Sequence, residues 1–205
     1  MKPLPRSFFV RDPLLVAPEL LGCRLEHTVD GVPVAVRLTE VEAYLGEGED
    51  PASHSHRGLR PRNAVMFGPP GHAYLYFTYG MHWCANIVCR PEGVSGAVLL
   101  RAGEVVTGLE TARRRRPSAR RDVDLARGPA RLASSLALAG PDNGRDLCAG
   151  GELQIFAADP VPRNRVRSGP RVGVTLAAAS PWRWWLSDEP TVSVYRPAAR
   201  RRRRP

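Results

Sequence analysis

Apolar and polar positions alternate between Cys23 and Tyr44 in a way that predicts two strands. The first runs from Arg24 to His27, the chain turns at Asp30-Gly31, and the second carries Val34, Val36 and Leu38 on one face. Continuing that period of two puts Glu40, Glu42 and Tyr44 on the same face as those apolar residues, with Val41 and Ala43 on the other. Two carboxylates are therefore expected where an apolar face runs out. Ahead of the hairpin, Asp12-Pro13 has the form of an N-cap followed by a first-turn proline, which starts a short helix that Gly22 ends.

Leu45 to His72 holds Gly, Pro, His and Arg without periodicity and is expected to be a long ordered loop, a type that is commonly functional. Ala73 to Tyr79, Trp83 to Cys89 and Gly96 to Arg101 are strand-like, with Gly80 turning the chain between the first two. Beyond Ala102 the pattern becomes helical and basic: a helix over Thr107 to Arg116, an Arg-rich turn at Pro117 to Arg121, and a helix from Pro129 to Ala139 that Gly140 ends. Glu152 to Ala157, Val172 to Val174 and Val192 to Tyr195 complete the expected strands. No internal repeat and no second core is apparent. The pattern predicts an α+β fold, one domain over residues 1–195 with a curved, mainly antiparallel sheet, a hairpin and flanking helices. Residues 196–205 form an Arg-rich segment with too little apolar surface to order itself, so a flexible tail is expected.

Charge adds a partner to this picture. The formal net charge is +10, and the five arginines from Arg200 to Arg204 supply half of it, so the tail alone is weak support for an anionic partner such as nucleic acid. Lys2 is the one lysine, against twenty-nine arginines. Schiff-base chemistry on an opened sugar usually takes a lysine or a terminal proline amine, and the interior of the chain offers neither. Cys23, Cys84, Cys89 and Cys148 lack paired spacing, which suits free thiols in a reducing compartment. The N-terminus does not have the form of a signal peptide, and no apolar run approaches the roughly 20 residues that span a bilayer. These features point to a soluble, cytoplasmic protein.

The candidate chemistry lies between Thr39 and Arg101. Tyr74, Tyr76, Tyr79 and Trp83 surround an amide, Asn86, while Tyr44, the His54/His56 pair, Tyr76 and Arg101 lie near strand ends or in the adjoining loop around Glu42. Aromatic rings, one placed acid and nearby arginines suit an enzyme that holds a base out of the stack and acts on its sugar bond. Glu40 shares a face with Glu42, and periodicity does not choose between them. Tyr79 abuts Gly80 at a turn, where a ring is well placed to wedge between base pairs. A catalytic metal is not expected, because the His-x-Glu and Pro-Cys-x-x-Cys elements of a zinc deaminase are missing and HSH is poor ligand spacing. A catalytically silent binding domain would use the same aromatics and arginines, but it has no need of a carboxylate facing a polyanion.

The segments TEVEAY, ASH, PRNAVMFGPPGHAYLYFTYGMHWCANIV and GAVLLRA, together with DLARGPARLASSLAL and RVGV, closely resemble the alkyladenine (3-methylpurine) DNA glycosylases of base-excision repair. The resemblance covers nearly all of the chain except its last ten residues. It implies a monofunctional enzyme without cofactor or metal, acting as a monomer on damaged double-stranded DNA of the nucleoid. Such an enzyme hydrolyses the N-glycosidic bond of flipped-out alkylated or deaminated purines, among them 3-methyladenine, hypoxanthine and ethenoadenine, and leaves an abasic site. It also implies roles. Glu42 matches the general base that activates water and Arg101 the arginine that helps position that water. Tyr44, His54 and Tyr76 match the residues that sandwich the base, Asn86 the asparagine that disfavours the 2-amino group of guanine, and Tyr79 the intercalating tyrosine. Between Glu42 and His54 the chain is one residue longer than the mammalian pattern, which leaves His56 as the alternative to His54.

Overall fold

The computed structural model describes residues 2–198. The arginines expected to form a flexible tail, Arg200 to Arg204, lie outside them. Left-handed backbone at two adjacent residue pairs sets up the hairpins. Asp30 (φ 51°) and Gly31 (φ 74°) join β1 (Arg24–Val29) to β2 (Val32–Tyr44), and Tyr79 (φ 52°) and Gly80 (φ 67°) join β3 (Ala73–Thr78) to β4 (His82–Val88). Two successive positive φ angles give the tight turn whose twist agrees with that of the strands it connects.

With β5 (Ala97–Thr107) and β6 (Leu153–Phe156), the sheet follows the order β3-β4-β5-β2-β1-β6, and every neighbour is antiparallel. The edge of β2 that β5 does not occupy is divided. β1 takes Val32 to Arg37, and β8 (Arg183–Leu186) takes Glu40 to Glu42, with β7 (Val166–Gly169) paired outside β8. The fold is α+β, a curled antiparallel sheet with a few short helices. Of these helices, α1 (Arg6–Phe9) precedes α2 (Pro13–Glu19), which starts as the sequence predicts: Asp12 Oδ1 accepts a 2.8 Å hydrogen bond from the Leu14 N–H. α2 packs on β2 and buries Val16 and Ala17.

The alternation along β2 does not continue to its end. Val34, Val36 and Leu38 face the core, and so do Val41 and Ala43, because the β2–β5 pairing steps from Leu38↔Gly103 to Glu40↔Ala102 to Val41↔Leu100. Thr39 and Arg101 are each passed over. One extra residue in a strand turns every later side chain to the opposite face. Glu40, Glu42 and Tyr44 thus lie on the face away from the core, not on the apolar face as the uninterrupted period placed them.

Other boundaries move for identifiable reasons. β5 runs to Thr107 where a helical stretch was expected after Ala102. Gly103 is a point of close approach, since a Cβ there would lie 2.3 Å from Val36 Cγ1 and 2.4 Å from the Arg37 carbonyl oxygen. α3 (Leu109–Arg115) follows, and α4 (Pro129–Ser135) stops short of Gly140 because Ala137 already adopts φ 54°. Val172 to Val174 and Val192 to Tyr195 are not strands. The Val172 N–H donates to Glu42 and the Ser193 N–H to Glu40, so these amides go to carboxylates instead of a ladder. The loop from 45 to 72 is ordered by Asn63, which donates to the carbonyls of His54 and Gly58 and accepts from the Arg60 N–H. The four cysteines are free thiols.

Candidate active site

The bulge that passes over Thr39 and Arg101 brings two glutamates and an arginine together on the face away from the core. Glu40 and Glu42 are fully buried and Arg101 nearly so. Arg101 Nε donates to Glu40 Oε1 at 2.9 Å, its Nη1 reaches Glu42 Oε2 at 3.3 Å, and its Nη2 reaches the Ser193 hydroxyl at 3.5 Å. Glu42 also accepts from the Tyr44 hydroxyl at 2.9 Å and from the Val172 N–H at 2.7 Å. Glu40 holds a second arginine, with Arg183 Nε at 2.6 Å, and accepts from the N–H and hydroxyl of Ser193 at 2.7 and 3.0 Å. Two buried carboxylates and two buried guanidiniums therefore balance in charge.

Electrostatics follow from these partners. Burial pushes the Glu40 carboxyl up, but Arg101, Arg183 and Ser193 outweigh it and hold the group below its ordinary range. For Arg101, burial acts against the charged form, and Glu42 and Glu40 together raise its pKa. Both groups are thus fixed in their ionised states at neutral pH.

In front of this cluster opens a cavity of about 330 Å³. Tyr44, His54, Tyr76, Asn86, Tyr79 and Arg101 line it, and Glu42 sits one hydrogen bond behind its wall, under Tyr44, Arg101 and Val172. His54, rather than His56, lies in that wall. His54 stands at the mouth, with Nδ1 2.9 Å from the Tyr74 hydroxyl and its ring edge-on to Tyr76 at 4.6 Å. Burial of its inner side, then Arg62, push the imidazole below its ordinary value, so the ring is neutral at pH 7. Burial raises the phenols of Tyr44 and Tyr76, and that of Tyr74 up to about 12, which keeps all three protonated. The Asn86 amide is fixed by donating to the Tyr74 carbonyl at 3.0 Å. Tyr79 projects from the β3–β4 turn at 88% exposure.

Sequence reasoning missed the residues that brace this wall. Arg171 is buried, paired through both terminal nitrogens with Asp50 at 2.6 and 2.8 Å, and lies 4.5 Å over the Tyr44 ring and 5.0 Å over Trp182. It holds Tyr44 from behind and leads directly into Val172. Asp50 and Arg171 stand 121 positions apart, and Glu40 and Ser193 153 apart, so no local pattern joins them. Among the described residues, no group of three or more His, Cys, Asp or Glu side chains is placed to hold a metal ion, and no helix is long and apolar enough to cross a membrane.

A family model described as Methylpurine-DNA glycosylase matches residues 7–190. A protein of Streptomyces avermitilis is 55% identical over 205 residues, covering 98% of this chain and 96% of its own. Relatives from Nocardia farcinica, 51% identical over 93% of this chain and 91% of their own sequence, and Frankia casuarinae, 49% identical over 96% and 94%, are similarly close. All three carry the name "Putative 3-methyladenine DNA glycosylase".

Proposed function

The chain belongs to the methylpurine-DNA glycosylase family and is a hydrolase acting on N-glycosyl bonds in DNA, and from this premise we propose that it excises alkylated and deaminated purines with a water activated by Glu42. The observation that carries this reading is a carboxylate, Glu42, buried directly behind an aromatic cavity and flanked by Arg101 and two neutral donors. The substrates are 3-methyladenine, hypoxanthine and ethenoadenine in duplex DNA, and the product is an abasic site.

Extruding the damaged nucleotide costs a few kcal/mol, less where the base is mispaired or damaged. Tyr79 fills the vacated stack. The base enters between Tyr44 on one side and His54 and Tyr76 on the other. Because His54 Nδ1 is occupied by Tyr74, Nε2 is the ring nitrogen left for the purine edge. Asn86 lines the cavity where a 2-amino group would be unwelcome. An alkylated purine that carries positive charge leaves as a neutral base, so the sugar develops oxocarbenium character without a second carboxylic acid to protonate the leaving group, whereas hypoxanthine and ethenoadenine, neutral in the duplex, take up a proton from solvent as they leave. Water adds to the anomeric carbon and its proton passes to Glu42, whose negative charge also favours the sugar cation. Arg101 orients the water. With Lys2 as the one lysine, the chemistry ends at base removal without strand cleavage by Schiff base.

The test is incubation with duplexes carrying each lesion, in the presence of EDTA, scoring free base and strand breaks separately. Free base with unbroken strands is expected. Loss of release with chelator, or strand breakage without an abasic intermediate, would overturn the reading.

A further inference from the structure

Glu40 is the more heavily liganded of the two buried glutamates, and like Glu42 it stands behind the cavity wall, which it reaches through Arg101. Its Oε1 accepts from Arg101 Nε, Arg183 Nε and the Ser193 hydroxyl, and its Oε2 from the Ser193 N–H. Arg101 is itself a residue that the β2–β5 pairing passes over, so its backbone has less ladder to fix the side-chain direction. The guanidinium is aimed by what grips it. Holding Nε on Glu40 leaves Nη1 facing Glu42 and the cavity. Arg183, braced over Trp185 at 4.5 Å, and Ser193 in turn fix Glu40 from β8 and from the C-terminal segment.

We propose that Glu40 is a positioning residue for base excision, acting through Arg101 to hold its guanidinium beside Glu42, where both groups face a water in the cavity. The inference rests on the reading of Glu42 and Arg101 given above. A carboxylate gripping Nε fixes the direction of the guanidinium, whereas an arginine with Glu42 as its sole carboxylate partner is free to swing about that one contact and lose its aim at the cavity. Displacement of such a group by about 1 Å costs up to about 100-fold in rate without contact between the altered residue and the substrate.

A double-mutant cycle tests it, using Glu40→Gln, Arg101→Gln and the combined variant, with single-turnover release at saturating enzyme, affinity for the damaged duplex and thermal unfolding as readouts. Glu40→Gln is expected to slow release by about 10- to 100-fold while affinity stays within about threefold, and to add little further loss once Arg101→Gln is present. A merely structural role would lower rate and affinity together with the folded fraction. Losses that multiply in the combined variant, or wild-type release by folded Glu40→Gln, would overturn the proposal. Should Glu40→Gln fail to fold, Glu40→Leu/Arg183→Met removes a buried charge of each sign, a replacement that cores often accept. That variant, folded, is expected to release base slowly, and folded with wild-type release it would overturn the proposal. Glu42→Gln serves as the reference: if it excises normally, the functional reading fails, whatever Glu40 does.

Discussion

Glu40 and Glu42 are two residues apart on one strand, on one face, equally buried, and their surroundings differ in kind. Glu40 is saturated by two arginines and both donors of Ser193, and reaches the cavity wall only through Arg101. Glu42 shares one arginine, accepts from a phenol and an amide, and lies directly behind the cavity wall. A carboxylate held by two cations is anchored as an ion. This difference is what the proposed division of roles rests on, aim for the first and chemistry for the second, although their spacing and burial are alike.

The largest effect that separates them is on stability. Replacing Glu40 by Gln leaves Arg101 and Arg183 with one fewer buried counter-charge and is expected to cost about 3–5 kcal/mol of unfolding free energy, the usual penalty for breaking a buried pair. Glu42→Gln keeps Arg101 paired to Glu40 and is expected to cost less. Denaturant unfolding of both variants checks this, and a larger loss for Glu42→Gln would reverse the comparison.

The same contrast has a pH signature. Because the folded protein holds Glu40 below its ordinary range, the stability it contributes is complete above the unfolded carboxylate value, about 4.3. That contribution is lost progressively as pH falls from there through the lower folded value. Wild-type stability should therefore drop on acidification more steeply than that of Glu40→Gln. Parallel stability profiles for the two proteins would show that the carboxylate of Glu40 is not the group being titrated.

Tyr79, exposed at the hairpin tip, sharpens the comparison from outside the charge cluster. Tyr79→Ala should weaken binding to a damaged duplex by about 1–3 kcal/mol, the value of a stacked ring, and bind single-stranded lesions with little change. Equal losses on both substrates would remove the wedge role. The smallest effect is expected at Asn86. Shortening it should raise excision of guanine-like bases by about tenfold, within the range a single polar contact controls, and an unchanged preference for purines lacking the 2-amino group would count against it.

Much of this was legible from local pattern. Asp30-Gly31 marks a turn because Asp and Gly accept two left-handed conformations in succession, Gly80 marks another, and Asp12-Pro13 marks a helix start. The face of Glu42 was not legible. A bulge that passes over Thr39 and Arg101 depends on how two distant strands register, and it leaves no mark in the alternation of either. Val172 and Val192 to Tyr195 have the composition of strands, yet their segments are placed by the carboxylates that take the Val172 and Ser193 amides. β8, with its run Arg183-Trp184-Trp185-Leu186, is too short for alternation to mark it as a strand. Glu42 itself was separated from Glu40 by family resemblance and not by spacing. The structure shows that the two carboxylates have different partners.

If Glu42 supplies the base, replacing it stops the chemistry and spares the grip on DNA. The most direct test is single-turnover release of hypoxanthine from a duplex by Glu42→Gln, in EDTA, with enzyme in excess and affinity for the same duplex measured alongside. Release at least about 100-fold slower than wild type with affinity largely retained is the outcome for loss of a positioned base. Release at the wild-type rate, or a loss confined to affinity, would contradict it.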